Sequence, residues 1–240
     1  MKQTISIFIL FLFAQIASGQ SLHFVYNFDN CDYHDQVTGF PDIVTGGNPG
    51  CICGIGESSV QLDGVKDYLE IDAGANSLFN SNFTLDFYFW LDETQADMDI
   101  MSLRSGCGKL DSMMQLRYVN RTNEIDFQIG SNINNFYAYK SKVNKNHCWH
   151  RFSLVKFGLE YQVYLDNVLM GKFVAKENIY MTKTGRLSFG NNPCNAIDNA
   201  QRFKGKIDEL KLYSTALADI ELVKTYAYPD RIITPNATIF

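Results

Sequence analysis

Two short stretches of the chain alternate carboxylates with other residues, as a catalytic strand does. Glu124 and Asp126 are two positions apart, so on a β-strand both would project from the same face. Two carboxylates that flank a sugar can hydrolyse a glycosidic bond, one as nucleophile and one as acid/base. Gln128 occupies the next position on that face and cannot exchange a proton, and Glu70 and Asp72 are followed only by small residues. We therefore predict no catalytic residue, with a glycoside hydrolase as the alternative.

The histidines give no support for nucleophilic catalysis. No motif places any of them beside a serine or cysteine nucleophile, and the sequence has no glycine-rich phosphate-binding loop. The four histidines are His23, His34, His147 and His150.

Six cysteines form the second chemically distinctive set. An even number of cysteines in an exported chain predicts disulfides, with the pairing left open. Zinc is the alternative, but only Cys51 and Cys53 lie close together, and no second pair or histidine cluster completes a tetrahedral site. The disulfide candidates are Cys31, Cys51, Cys53, Cys107, Cys148 and Cys194.

One segment, residues 132–139, has the residue types that bind sugars. Aromatic rings stack on the apolar faces of sugars, and amides hydrogen-bond their hydroxyl groups. The alternative is a hairpin whose tyrosines pack on the sheet. The candidate ligand-binding residues are Asn134, Asn135, Phe136, Tyr137 and Tyr139.

The N-terminal residues predict export. Lys2 precedes an apolar run, 5–14, that is too short to span a bilayer, and residues 17–19 supply the small side chains of a cleavage site. No later stretch is apolar enough to enter a membrane, so we predict a secreted or cell-surface protein. The expected divisions are a signal peptide at 1–19, a single domain at 20–228, and a tail or the start of a following module at 229–240.

Period-two alternation predicts an all-β protein. In the run 83–91, Phe and Leu residues at odd positions alternate with Thr, Asp, Tyr and Trp, and 149–156 alternates in the same way. Asp166-Asn167 suits a tight hairpin turn, because both residues tolerate positive φ. About a dozen short strands predict a two-sheet antiparallel sandwich. The one helical pattern begins at Asp219.

The segment 203–220, FKGKIDELKLYSTALADI, carries a family resemblance. It resembles the end of laminin-G-like, concanavalin-type jelly rolls, and SVQLDG at 59–64, FTLDF at 83–87 and CWH at 148–150 match other strands of that family in order. The cysteines resemble a variety found in exported proteins of Bacteroidota, in which further modules often follow. The Glu124 stretch is similar to the start of the catalytic motif of family-16-type glucanases.

The resemblance also implies a metal and a function. Such sandwiches often hold a structural Ca²⁺ with oxygens from the first and last strands, and the matching positions are Asp29, Asn30 and Asp208. We predict a non-catalytic binding or adhesion module that recognises carbohydrate, or a cell-surface protein, on the concave face. A structural spacer is a further alternative. The net charge of −5, spread along the chain, argues against nucleic acid as a partner.

Overall fold

The computed structural model describes residues 22–37, 39, 43–71, 73–104, 106–107, 112–143, 148–181 and 185–225. Within these residues the chain forms two eight-stranded sheets that share one hydrophobic core. The predicted signal peptide, 1–19, and the predicted tail, 229–240, lie outside the described residues. The all-β sandwich predicted from the alternation is confirmed.

The strands are short and follow one another closely along the chain. In chain order they are β1 (Leu22–Tyr26), β2 (Val44–Gly46), β3 (Gly50–Cys53), β4 (Ser58–Asp63), β5 (Tyr68–Ile71), β6 (Phe83–Leu91), β7 (Met98–Arg104), β8 (Met113–Val119), β9 (Glu124–Asn132), β10 (Asn135–Lys142), β11 (Trp149–Phe157), β12 (Glu160–Leu165), β13 (Val168–Val174), β14 (Arg186–Phe189), β15 (Gln201–Arg202) and β16 (Lys204–Tyr213).

Each sheet has a continuous path of hydrogen-bonded strands. The first sheet runs β13-β12-β11-β6-β16-β4-β3, and β1 also pairs with β16, so the first and last strands of the domain are neighbours. The second sheet runs β10-β9-β8-β7-β14-β5-β2, with the short β15 beside β7. β3 and β13 therefore end the path of the first sheet, and β2 and β10 end that of the second.

The core forms where the alternating apolar faces of the two sheets meet. Phe83, Leu85, Phe87 and Phe89 of β6 are all buried in it, as the alternation predicts. The β12–β13 hairpin turns at Asp166 and Asn167, whose φ values of 52° and 63° confirm the predicted turn.

Two short α-helices lie outside the sheets among the described residues. The predicted C-terminal helix is present as α2 (Asp219–Lys224), and α1 (Asn195–Asp198) is an additional short helix. Arg151 on the outer face of the first sheet fastens α2: its Nη1 donates to the Leu222 carbonyl oxygen at 2.7 Å, and Asp86 neutralises its charge. No helix among the described residues is long and apolar enough to cross a membrane.

The cysteines form two disulfides rather than three. Cys31 pairs with Cys51, and Cys107 pairs with Cys194. Cys53 and Cys148 belong to neither disulfide, which corrects the expectation that all six are paired. Their strands explain why: β3 and β11 are separated by β4, β16 and β6, which at strand spacing is about 19 Å, far beyond disulfide reach.

Candidate functional site

The outer face of the second sheet carries a row of polar side chains that crosses five neighbouring strands. Residues directly opposite one another in paired strands point to the same face. The intervening apolar side chains fill the core, so this set points outward. We call it the central polar row: Glu70 on β5, Ser188 on β14, Ser102 on β7, Gln115 on β8 and Gln128 on β9.

Two arginines beside the central polar row hold α1 against the sheet. Arg117 places Nε 2.6 Å from an Asp99 carboxylate oxygen and Nη2 2.8 Å from Asp198 Oδ2. Arg104 donates to that same Asp198 oxygen at 3.1 Å and to the Gln115 side-chain oxygen at 3.0 Å. Because Asp198 belongs to α1, the helix covers the face above β7 and β8. Burial raises the pKa of Asp99, which the hydrogen bond and charge of Arg117 oppose.

Two buried oxygens on this face have no hydrogen-bond partner among the described residues. They are Ser102 Oγ and Asp126 Oδ1. The other Asp126 oxygen accepts from Gln128 Nε2 at 3.1 Å and lies 3.4 Å from Lys140 Nζ. A buried polar atom without a partner costs free energy, so a hydroxyl group that reached either oxygen would be bound favourably.

The β5 end of the central polar row is organised by charge. Glu70 accepts from Arg186 Nη1 at 3.0 Å and from Asn191 Nδ2 at 2.6 Å. Arg186 is exposed, whereas Ser188 beside it is buried. At this end of the row, the Glu70 carboxylate is held in place by the Arg186 guanidinium and the Asn191 amide.

An aromatic ring lies near the opposite end of the face. Phe136 on β10 is opposite Gly130 and points outward, partly exposed. A β-carbon added to Gly130 would lie 2.9 Å from a carbon of the Phe136 ring, so one side of the ring rests on the glycine. A partly exposed ring beside Gln128 combines the apolar and amide groups that bind sugars.

The other predicted ligand-binding aromatics point the opposite way. Tyr137 and Tyr139 lie across from the core residues Ile129 and Phe127, so both rings face between the sheets. Both stack on Phe173 of the first sheet, with centroids 4.0 and 5.8 Å away. For these two residues the structure matches the alternative, a hairpin whose tyrosines pack on the sheet, because successive strand residues alternate between faces.

The two predicted asparagines also have different environments. Asn135 is buried, its Nδ2 donates to the Glu177 carbonyl oxygen at 3.2 Å, and its Oδ1 accepts from the Lys176 amide at 3.2 Å. It therefore bridges two segments of the fold. Asn134 is exposed in the β9–β10 turn. Of the five predicted residues, Phe136 is the one that the structure places on the outer face beside the central polar row.

The alternating carboxylates of β9 are on this face, but each forms an ion pair with a lysine. Glu124 lies 3.2 Å from Lys142 Nζ, and Asp126 lies 3.4 Å from Lys140 Nζ. Gln128 stands at the third outward position of the strand. The strand therefore presents two ion-paired carboxylates and an amide, an arrangement that favours binding over proton transfer.

The predicted calcium residues lie around the loop between β3 and β4. Asp208 is fully buried; its two carboxylate oxygens accept from the Ile55 and Glu209 amides at 2.6 and 2.8 Å. Asp29 accepts from the amide of Glu57 in the same loop at 3.1 Å, while Asn30 is exposed. Glu209 is a further carboxylate near this loop, which sequence analysis missed.

No three His, Cys, Asp or Glu side chains in the described part of the chain converge on a single metal position. A calcium shell at Asp29 and Asp208 would therefore need backbone carbonyl oxygens and water, which Ca²⁺ accepts readily.

A second cluster lies at the start of β11, where no motif indicated one. Cys148 Sγ is 3.5 Å from His150 Nε2, and His150 Nδ1 is 2.8 Å from Asp166 Oδ2. The expectation that no histidine lies beside a cysteine is thus corrected. The signal available in the sequence was the two-residue spacing of Cys148 and His150 on a strand; the position of Asp166 depends on strand pairing.

Solved structures with this architecture come from carbohydrate-processing and toxin proteins. Domain 4 of AbnA, a GH43 extracellular arabinanase from Geobacillus stearothermophilus, solved with arabinotriose, has a TM-score of 0.68 at 16% identity, covering 85% of this chain and 97% of that one. The botulinum neurotoxin serotype D binding domain has a TM-score of 0.64 at 12% identity, covering 85% of this chain and 50% of that one. The botulinum neurotoxin DC binding domain in complex with rat synaptotagmin II has a TM-score of 0.63 at 11% identity, covering 84% of this chain and 50% of that one.

The chain thus spans about half of these toxin domains, and at such identities the likeness shows the fold. No curated protein sequence is significantly similar to the chain. The family model described as the concanavalin A-like lectin/glucanases superfamily matches residues 63–222, about two thirds of the chain. With its two antiparallel sheets and shared core, the chain belongs to the concanavalin A-like lectin/glucanases superfamily.

Proposed function

We propose that the domain is a non-catalytic module that binds carbohydrate on the outer face of the second sheet. The central polar row, flanked by the Phe136 ring, is the observation that carries this proposal. Hydroxyl, amide and carboxylate groups occupy successive strands. An ion pair to Glu70 and hydrogen bonds to Gln115 and Gln128 fix these groups before any ligand arrives. Preorganised polar groups bind sugar hydroxyls at a lower entropic cost than mobile ones.

Two features favour carbohydrate over a flat protein partner. Ser102 Oγ and Asp126 Oδ1 are buried oxygens without a partner among the described residues, and a local opening of the face would let a sugar hydroxyl group bond to them. The covering by α1 confines the accessible part of the face, because Asp198 lies over Arg104 and Arg117. The arabinanase domain with a similar fold was solved with arabinotriose, which makes arabino-oligosaccharides the first probes to use.

A glycan array of the disulfide-bonded domain tests the proposal. We expect selective binding to one sugar class, and unchanged chain length of that glycan after prolonged incubation. Products of hydrolysis would favour the glycosidase alternative. A blank array would contradict carbohydrate binding. A cell-surface protein partner, in keeping with the synaptotagmin complex of the toxin domain, or a spacer role would then replace it.

We further propose that the domain acts outside the cytoplasm, after cleavage following Gly19. The two disulfides support this location, because such bonds persist in oxidising compartments. The mass of the exported product measures the cleavage directly. Recovery of the chain in the cell with residues 1–19 still attached would contradict the proposal.

A structural Ca²⁺ held by Asp29 and Asp208 is the last part of this proposal. The buried Asp208 carboxylate accepts from two backbone amides, and burial raises its pKa to about 7, with Glu209 and Asp29 adding to the shift. A bound divalent cation would offset this negative charge. We expect added Ca²⁺ to raise the melting temperature relative to EDTA, and Asp29→Ala to abolish the increase. Superimposable melting curves would rule the metal out.

A further inference from the structure

Cys148, His150 and Asp166 form a hydrogen-bonded relay on the first sheet, away from the proposed carbohydrate-binding face. The sulfur lies 3.5 Å from His150 Nε2, and the opposite ring nitrogen lies 2.8 Å from Asp166 Oδ2. The second Asp166 oxygen accepts the Arg151 amide at 2.8 Å. Both carboxylate oxygens are therefore positioned, and the imidazole is held between carboxylate and thiol.

Strand geometry explains how the three residues meet. Cys148 immediately precedes β11 and His150 is the second residue of that strand, so extended backbone directs both side chains to the same side. Asp166 begins the β12–β13 turn, and its amide donates to the Arg151 carbonyl oxygen at 2.9 Å. His150 is only 4% exposed and packs 5.5 Å from the Phe89 ring, whereas Cys148 is partly exposed. The buried imidazole of His150 therefore lies beside the partly exposed thiol of Cys148.

The arrangement sets the proton positions. A carboxylate only accepts hydrogen bonds, so Asp166 selects the His150 tautomer that carries its proton on Nδ1. Nε2 is then left with its lone pair toward the sulfur, where it can accept the thiol proton. A nucleophile, a base and a group that orients the base are the parts by which proteins activate cysteine.

We propose that Cys148 is an activated thiol that undergoes thiol–disulfide exchange with small disulfides. His150 Nε2 takes the Cys148 proton, and the thiolate attacks one sulfur of the disulfide. A bond forms between Cys148 Sγ and that sulfur as the original sulfur–sulfur bond breaks, and the departing thiolate takes the proton back from His150. The products are a mixed disulfide at Cys148 and one small thiol, so atoms and electrons balance without an added oxidant.

Cys53 supplies an internal control. It lies on the terminal strand β3, is more exposed than Cys148, and belongs to neither disulfide. Its carbonyl oxygen accepts a hydrogen bond from the Ser59 hydroxyl at 3.1 Å. If exposure alone set reactivity, Cys53 would react first. If the relay sets it, Cys148 reacts first.

The test is the time course of modification by oxidised glutathione at about pH 6.5, where an ordinary cysteine is largely protonated, followed by peptide mass mapping. Variants Cys53→Ser and Cys148→Ser assign the two rates. We expect Cys148 to react about tenfold faster than Cys53, with a pH profile whose midpoint lies lower. Equal rates, or a faster Cys53, would overturn the proposal.

Asp166→Asn separates activation from folding. The asparagine oxygen can still accept the Arg151 amide, but its NH2 group faces His150 Nδ1 and reverses the tautomer. We expect the Cys148 rate to fall to about that of Cys53 and the pH midpoint to rise. The Cys53 rate stays unchanged if the fold is intact. An unchanged Cys148 rate in this variant would also overturn the proposal.

Discussion

Phe136 rests on Gly130 so closely that a β-carbon on the glycine would lie 2.9 Å from the ring and 2.8 Å from the Asn135 carbonyl oxygen. Gly130 therefore shapes the aromatic end of the proposed binding face. We expect Gly130→Ala to destabilise the domain by about 1–3 kcal/mol, because the ring and the β10 backbone must both shift. Urea unfolding measures the change. Gly106→Ala is the control, since a β-carbon there meets no atom of the described residues within 4 Å.

Breaking the buried pair Asp86–Arg151 should cost far more stability than breaking the pair Asp126–Lys140, whose lysine is largely exposed. Arg151 makes two hydrogen bonds of 2.7 Å to Asp86 and is 1% exposed. Asp86→Ala leaves a buried guanidinium without its counter-ion, and we expect a loss of about 3–5 kcal/mol. Lys140→Ala should cost no more than about 1 kcal/mol, because the lysine is largely exposed. Similar losses in the two variants would contradict this assignment.

The Cys107–Cys194 disulfide fastens the segment that carries α1. Because α1 supplies Asp198 to Arg104 and Arg117, we expect the double variant Cys107→Ser/Cys194→Ser to lose about 2–4 kcal/mol of stability and to weaken glycan binding. Chemical unfolding and titration calorimetry measure the two effects. Unaltered glycan affinity would show that α1 keeps its position without the disulfide.

Asp208 should make the metal-free domain less stable as pH rises. Its pKa is about 7 in the folded state against a usual 3.8, so the folded protein binds the proton more tightly than the unfolded chain. The stabilisation is complete below pH 3.8 and is lost as pH rises to about 7, at up to about 1.4 kcal/mol per pH unit. Unfolding in EDTA at several pH values, compared with Asp208→Asn, isolates this group. Parallel pH curves for the two proteins would contradict it.

The alternation of β6 and the motif of β16 were enough to predict the sandwich, because strand period and turn chemistry are local properties. The orientation of the β9–β10 hairpin was not predictable in this way. Alternation separates Phe136 from Tyr137 but does not say which of them meets the core. That depends on Phe173, which lies on the other sheet.

Long-range pairings explain the remaining differences. Asp198 meets Arg104 from 94 residues away, and Cys107 meets Cys194 from 87 residues away. Neither separation has a sequence signature, since closure of such loops depends on tertiary packing. Cys148 and His150 could be paired from their spacing alone, but Asp166 could not.

The central claim, that carbohydrate binds on the outer face of the second sheet, is tested most directly by calorimetric titration of one array-selected glycan into matched variants. Phe136→Ala removes the aromatic ring of that face, and Phe157→Ala removes a ring that is 67% exposed at the end of β11 in the first sheet. We predict that Phe136→Ala weakens binding about tenfold or more, roughly the 1.4 kcal/mol expected for one stacked ring, while Phe157→Ala binds as the unaltered domain does. Full affinity in Phe136→Ala together with loss of binding in Phe157→Ala would contradict the account.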